Sequence, residues 1–92
     1  MPKSVPYAYK AILRKLLRES RIDGRVTQLQ LARRLGRPQN YVSKYEMGEK
    51  RLDILELREI CEVLGISLPA FIKRLESAIS KEARIPRPRN SK

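Results

Sequence analysis

Apolar residues recur along this chain at helical spacing in five separate stretches, and each stretch is bounded by residues that start or stop helices. Tyr9, Ile12, Leu13, Leu16 and Leu17 fall on one side of a helix predicted over about 7–22, with Lys10, Arg14, Lys15 and Arg18 on the other. Ser4 and Pro6 suit its start, and Asp23-Gly24 suits its end. Thr27 predicts the cap of a second helix running to Leu35, with Gln30 completing a capping box. Gly36-Arg37 then predicts a turn, followed by a third helix over about 38–47. Asp53 predicts the cap of a fourth, whose face carries Leu57, Ile60, Cys61 and Leu64 and which Gly65 stops. Ser67 or Leu68 with Pro69 opens a fifth, with Phe71, Ile72, Leu75 and Ile79 on one side.

These elements predict an all-α fold, a compact five-helix bundle. A domain over 7–80 is expected, with a short arm at 1–6 and a basic tail at 81–92. The tail, KEARIPRPRNSK, offers almost nothing to bury, so it is expected to be disordered. Ninety-two residues give room for one modest core. No apolar run approaches the ~20 residues of a membrane span, and the start has no signal-peptide core, so no membrane role is expected. The single cysteine, Cys61, cannot form an internal disulfide, which fits a reducing cytoplasm. With no second Cys and no His, it reads as a small core residue and no metal is expected.

Charge changes the picture more by its placement than by its total. The net charge of +11 divides unevenly: residues 1–52 hold 13 Lys/Arg against 4 Asp/Glu, a balance of +9. Residues 53–78 hold 3 against 5, or −2, and residues 79–92 hold 5 against 1, or +4. One-sided positive charge is the footprint of a protein that displaces counterions from a polyanion.

The stretch Gln28–Tyr45, QLQLARRLGRPQNYVSKY, has helix-turn-helix spacing. Ala32 precedes Gly36 by four residues and Gly36 precedes Val42 by six. A small Ala lets the two helices approach, a Gly past the helix end takes the left-handed conformation that turns the chain, and Val42 faces the angle between them. Leu31 and Leu35 supply the apolar stripe of the first helix of the pair, and Val42 and Tyr45 that of the second.

Three blocks in order extend this pattern: TQxxLAxxLG from Thr27 to Gly36, VSKYExG from Val42 to Gly48, and LxxICxxLGIS from Leu57 to Ser67. Together they resemble the Xre/Cro-type helix-turn-helix domain, the five-helix, lambda-repressor-like fold of phage repressors and bacterial transcription regulators. The resemblance covers about residues 13–75. Pro38 departs from the family, standing where a Ser or Thr cap is common, but Pro is acceptable at a first helical position.

The resemblance implies that the third helix enters the major groove of double-stranded DNA while the second lies across the backbone. Gln39, Asn40, Ser43 and Lys44 then become candidates for base contact, the amides toward adenine N6 and N7 and Lys44 toward guanine. Thr27, Gln28, Arg37, Tyr41, Lys50 and Arg51 are candidates for phosphate. For Arg14, Arg18, Arg33 and Arg34 a solvated face is an equal alternative. Arg21 and Glu46 match a pair that the family uses as scaffold.

Specific binding by this class usually needs a two-fold homodimer, and Ile66, Phe71, Ile72, Leu75 and Ile79 are the candidates for its surface: some of them belong to the core, and the remainder, with the end of the fourth helix, is expected to form the self-association patch. The implied function is a sequence-specific transcriptional regulator, a repressor by occupancy, in a prokaryotic or phage-bearing cytoplasm at the nucleoid. An antitoxin-like or adaptor role, with another protein as main partner, is the alternative. No His, Gly-rich phosphate loop or nucleophile–base pair supports an enzyme, no cofactor is implied, and too few aromatics are present for an RNA stacking platform.

Overall fold

The computed structural model describes residues 6–83. Five helices follow in order: α1 Tyr7–Asp23, α2 Gln28–Leu35, α3 Gln39–Glu46, α4 Ile54–Leu64 and α5 Leu68–Ala83. The suggested Ser4 cap, most of the arm and residues 84–92 of the tail lie outside the described residues. Lys81 to Ala83, expected in the tail, form the last turn of α5.

Local chemistry sets most of the boundaries. At α2 the Thr27 hydroxyl accepts from the Gln30 amide (3.0 Å), and the Gln30 side chain accepts from the Thr27 amide (2.9 Å). Asp53 and Glu56 repeat this reciprocal cap at α4, at 2.8 and 2.9 Å. The Ser67 hydroxyl accepts from the Ala70 amide at the start of α5 (3.2 Å). Gly36 ends α2 at φ +71° and Gly65 ends α4 at φ +77°, both in the left-handed region that a Cβ penalises by roughly 1–2 kcal/mol.

α1 ends at Asp23-Gly24 as expected, and one boundary differs from the sequence expectation. Pro38 is not the first helical residue: it is extended (φ −65°, ψ 154°) and α3 starts at Gln39. Between α1 and α2 the left-handed residue is Arg25 (φ 58°), whereas Gly24 keeps φ −82°. The reason lies in Arg21, whose carbonyl accepts from the Val26 amide (3.2 Å) while its guanidinium donates to the Val26 carbonyl (3.0 Å). That clasp pins the residue after Arg25 and forces the turn onto it.

The core fills the space where α2 packs on α3 and α4, α1 on α3 and α5, and α4 on α5. Leu31, Ala32, Val42, Ile60, Cys61 and Phe71 are fully enclosed, with Leu16, Leu17 and Tyr45 around them. Phe71 was a candidate for a dimer surface; at 0% exposure it belongs to the core instead. Leu75 and Ile79, from the same group, face α1 across a groove. No helix among the described residues is long and apolar enough to cross a membrane.

Candidate nucleic-acid interface

The helix-turn-helix is held from beneath by one ionic cluster. Arg21 of α1 donates from Nε to Glu46 Oε2 (2.7 Å) and from Nη2 to Glu46 Oε1 (3.0 Å), a two-pronged pair at the end of α3. Gln28, the first residue of α2, donates its side-chain amide to the same carboxylate (3.0 Å). The Glu46 side chain is 3% exposed and that of Arg21 10%. Hydrogen bonding to Glu46 raises the Arg21 pKa further above its already high value, against the opposing effect of burial. Three helices thus meet on one carboxylate, which fixes α2 and α3 relative to α1.

With Glu46 turned inward, α3 presents a polar outer face. Gln39, Asn40 and Lys44 are exposed, and Ser43 is half-buried with its hydroxyl donating to the Asn40 carbonyl (3.3 Å). Tyr41, Val42 and Tyr45 occupy the opposite, buried face. The four base-contact candidates therefore lie together. Met47, 63% exposed just beyond the helix, extends the same surface and was not singled out in the sequence. Its signal was present: it stands four residues after Ser43, one more helical turn.

The phosphate candidates separate into groups. Thr27 and Gln28 sit at the start of α2, the first engaged in its cap and the second in the Glu46 cluster. Arg37 stacks over the Tyr41 ring, 4.6 Å from its centroid, and pairs with Glu59 at 3.3 Å. Lys50 also lies over Tyr41, at 5.4 Å, and pairs with Glu56 at 3.5 Å. Arg51 is exposed beside them. Tyr41 itself is buried, its hydroxyl enclosed without a hydrogen-bond partner among the described residues. In this arrangement the ring is a platform for two cations, and its hydroxyl cannot reach a phosphate unless they move. Sequence reasoning missed this platform and the two α4 carboxylates behind it. Of the four undecided arginines, Arg18, Arg33 and Arg34 are exposed, and Arg14 lies against Gly48 with its guanidinium over the Tyr7 ring at 5.6 Å.

Burial raises the pKa of two core groups. The Tyr45 phenol, enclosed and without a hydrogen-bond partner, is pushed well above its usual value, and the Cys61 thiol is pushed up for the same reason. Both stay protonated and take no part in the charge of the surface. Among the described residues no group of His, Cys, Asp and Glu is placed to hold a metal ion.

Comparisons agree with this geometry. A helix-turn-helix family model matches residues 17–71, well over half of the chain. A solved structure, an XRE-family like protein from Pseudomonas syringae pv. tomato str. DC3000, is similar at 43% identity with a TM-score of 0.72, over 76% of this chain and 85% of that one. No functionally curated protein matches. The chain belongs to the Xre family of helix-turn-helix DNA-binding transcription regulators.

Proposed function

We propose that this regulator is a repressor that binds as a homodimer to a two-fold-related operator and acts by occupancy. The carrying observation is the outer face of α3: Gln39, Asn40 and Lys44 stand exposed there, while Glu46, the acidic residue at that helix's end, is buried against Arg21. A carboxylate on that face would repel the phosphates on either side of a groove, and its removal leaves donors and amides suited to base edges. Ser43 completes the reading surface, with Thr27, Gln28, Arg37, Lys50 and Arg51 toward phosphates. Each good two-pronged base contact contributes about 1–3 kcal/mol of discrimination. Half-sites would lie about 34 Å apart. Phe71 lies in the core and Leu75 and Ile79 line the α1 groove, so of the dimer candidates we keep the half-buried Ile66 and Ile72.

Selection from a random duplex library at two salt concentrations tests this. The expected product is an inverted repeat whose binding falls when Lys44 or Gln39 becomes Ala. Recovery of no motif, with binding unchanged in both variants, refutes specific readout. Replacing Lys50 or Arg51 by Ala should weaken every sequence alike and reduce the salt slope by roughly 1 each.

A further inference from the structure

Beside the proposed DNA-facing surface lies a groove that shares Lys50 and Arg51 with it. α1, α5, Tyr45 of α3 and the loop after α3 line an open groove of about 360 Å³. Its apolar lining is Leu13, Leu17, Leu52, Leu75 and Ile79, with Tyr9 and Tyr45. Lys10, Arg14, Lys50 and Arg51 line it as well, and among the residues whose side chains are described no Asp or Glu does. Lys10, Arg14 and Arg51 make no ion pair with any described residue; Lys50 is shared with Glu56. An apolar lining beside four cations, three of them outside any ion pair with a described residue, is complementary to one chemistry, a small anion with an apolar body.

From this geometry we infer that the groove binds an amphipathic anion, a single carboxylate or phosphate on an aliphatic or aryl body, and that its occupancy opposes DNA binding. Size supports the match. A dry cavity of about 150 Å³ holds benzene, so this one takes roughly 12–15 heavy atoms, within the range of small-ligand sites. The chain's own ends are poor occupants: residues 1–5 and 84–92 contain Lys3, Arg84, Arg87, Arg89 and Lys92 and no acidic side chain, so like charge opposes their seating. The antagonism rests on the reading of Lys50 and Arg51 as phosphate contacts. A bound head group engages those same cations, and the ligand and the DNA backbone then compete for them.

The test uses decanoate below its micelle concentration, added to the full-length protein and followed by methyl NMR without DNA. Decan-1-ol and decyltrimethylammonium are the uncharged and cationic controls. Saturable shifts at Leu13, Leu52, Leu75 and Ile79, with the alcohol at least ten-fold weaker and the cation silent, are expected. Ile79→Glu, which puts a carboxylate in the groove, should abolish them, and Lys10→Glu should weaken them several-fold, both in protein shown by circular dichroism to be folded. Absent or unsaturable shifts, equal binding of alcohol and acid, or contacts between Ile85 and the groove methyls would overturn the site. Duplex binding on the same samples separates the two claims. Decanoate should lower DNA affinity at least five-fold in the native protein and leave Ile79→Glu unaffected; unchanged affinity with the groove filled refutes the antagonism. A protein that takes decanoate but binds no duplex keeps the groove and defeats the operator reading.

Discussion

Removing the Glu46 carboxylate takes the partner away from a buried guanidinium. In Glu46→Ala, the Arg21 guanidinium loses both prongs of its pair and keeps only the Val26 carbonyl as acceptor, in a site where its side chain is 10% exposed. Breaking a buried pair from one side typically costs about 3–5 kcal/mol, because a charge stays desolvated without a partner. A domain of this size has roughly 4–12 kcal/mol in total. The substitution therefore takes up a large share of the stability, and a loss of 3 kcal/mol lowers Tm by about 12–24 °C. Urea unfolding of the native protein and the variant measures the difference, provided the slope m is unchanged.

The double variant Arg21→Met with Glu46→Leu gives the sharper result. It removes both charges, leaves the Val26 carbonyl without one donor, and frees the half-exposed Gln28 amide to bond water. It should cost less than the single variants Arg21→Met and Glu46→Leu together, with a coupling of about 2–3 kcal/mol. High salt should alter the coupling between the two residues little, since a pair this enclosed is screened weakly. A Glu46→Ala loss below about 1 kcal/mol, or strict additivity of the two changes, refutes the picture of a desolvated cluster joining three helices.

Other substitutions test separate parts of the structure. Tyr45→Phe at pH 7 should be neutral or up to about 1 kcal/mol stabilising, because the buried hydroxyl has no partner among the described residues; a loss beyond 1 kcal/mol in urea unfolding would show that it is bonded. Because burial raises the folded-state pKa of this phenol, above about pH 10 the unfolded chain releases a proton that the folded chain retains. Stability then falls with rising pH by up to about 1.4 kcal/mol per pH unit, the raised Cys61 thiol adds a similar fall from about pH 8.5, and Tyr45→Phe should remove only the first. Thr27→Ala removes one half of the α2 capping box and should cost about 1 kcal/mol; an unchanged midpoint would mean that the N-terminus of α2 needs no cap. Arg25→Gly relieves a left-handed backbone at an exposed site and should raise stability by roughly 0.5–1 kcal/mol after the added chain entropy, so a lower midpoint would refute the strain.

What could be read from the sequence is what local chemistry decides. The caps at Thr27 and Asp53 and the stops at Gly36 and Gly65 depend on neighbours within one turn, so their order along the chain is enough. Arg25 was not legible because its conformation is set by the Arg21 guanidinium reaching the Val26 carbonyl, a contact that composition does not mark. Phe71 was misplaced for a related reason. α5 has an apolar stripe too wide for one purpose, and only packing decides that Phe71 enters the core while Ile79 borders a groove. Tyr41 had a readable sign: it precedes Tyr45 by one turn, and the two rings meet edge to face with centroids 5.7 Å apart. A tyrosine paired in that way belongs to the buried stripe and not to the phosphate-facing side.

The placement of Tyr41 also changes what the acidic half of the chain means. In the sequence, residues 53–78 are a mild counterweight of −2 to a basic front. In the fold, two of those carboxylates, Glu59 and Glu56, stand behind Arg37 and Lys50, and each cation is pressed against the same ring. Partly exposed pairs like these contribute at most about 1 kcal/mol to stability, and each cation–ring contact about 0.5–1. Folding is therefore a weak reason for the arrangement. Ordering a long side chain at an interface costs about 0.5–1.5 kcal/mol, and cations already held by a ring and a carboxylate have less of that cost left to meet. The same carboxylates compete with phosphate for those cations, which lowers affinity for any polyanion. On the proposed reading the two effects oppose in strength but agree in selectivity: a backbone with phosphates at the held positions gains from the ordering, and one without them meets only the competition.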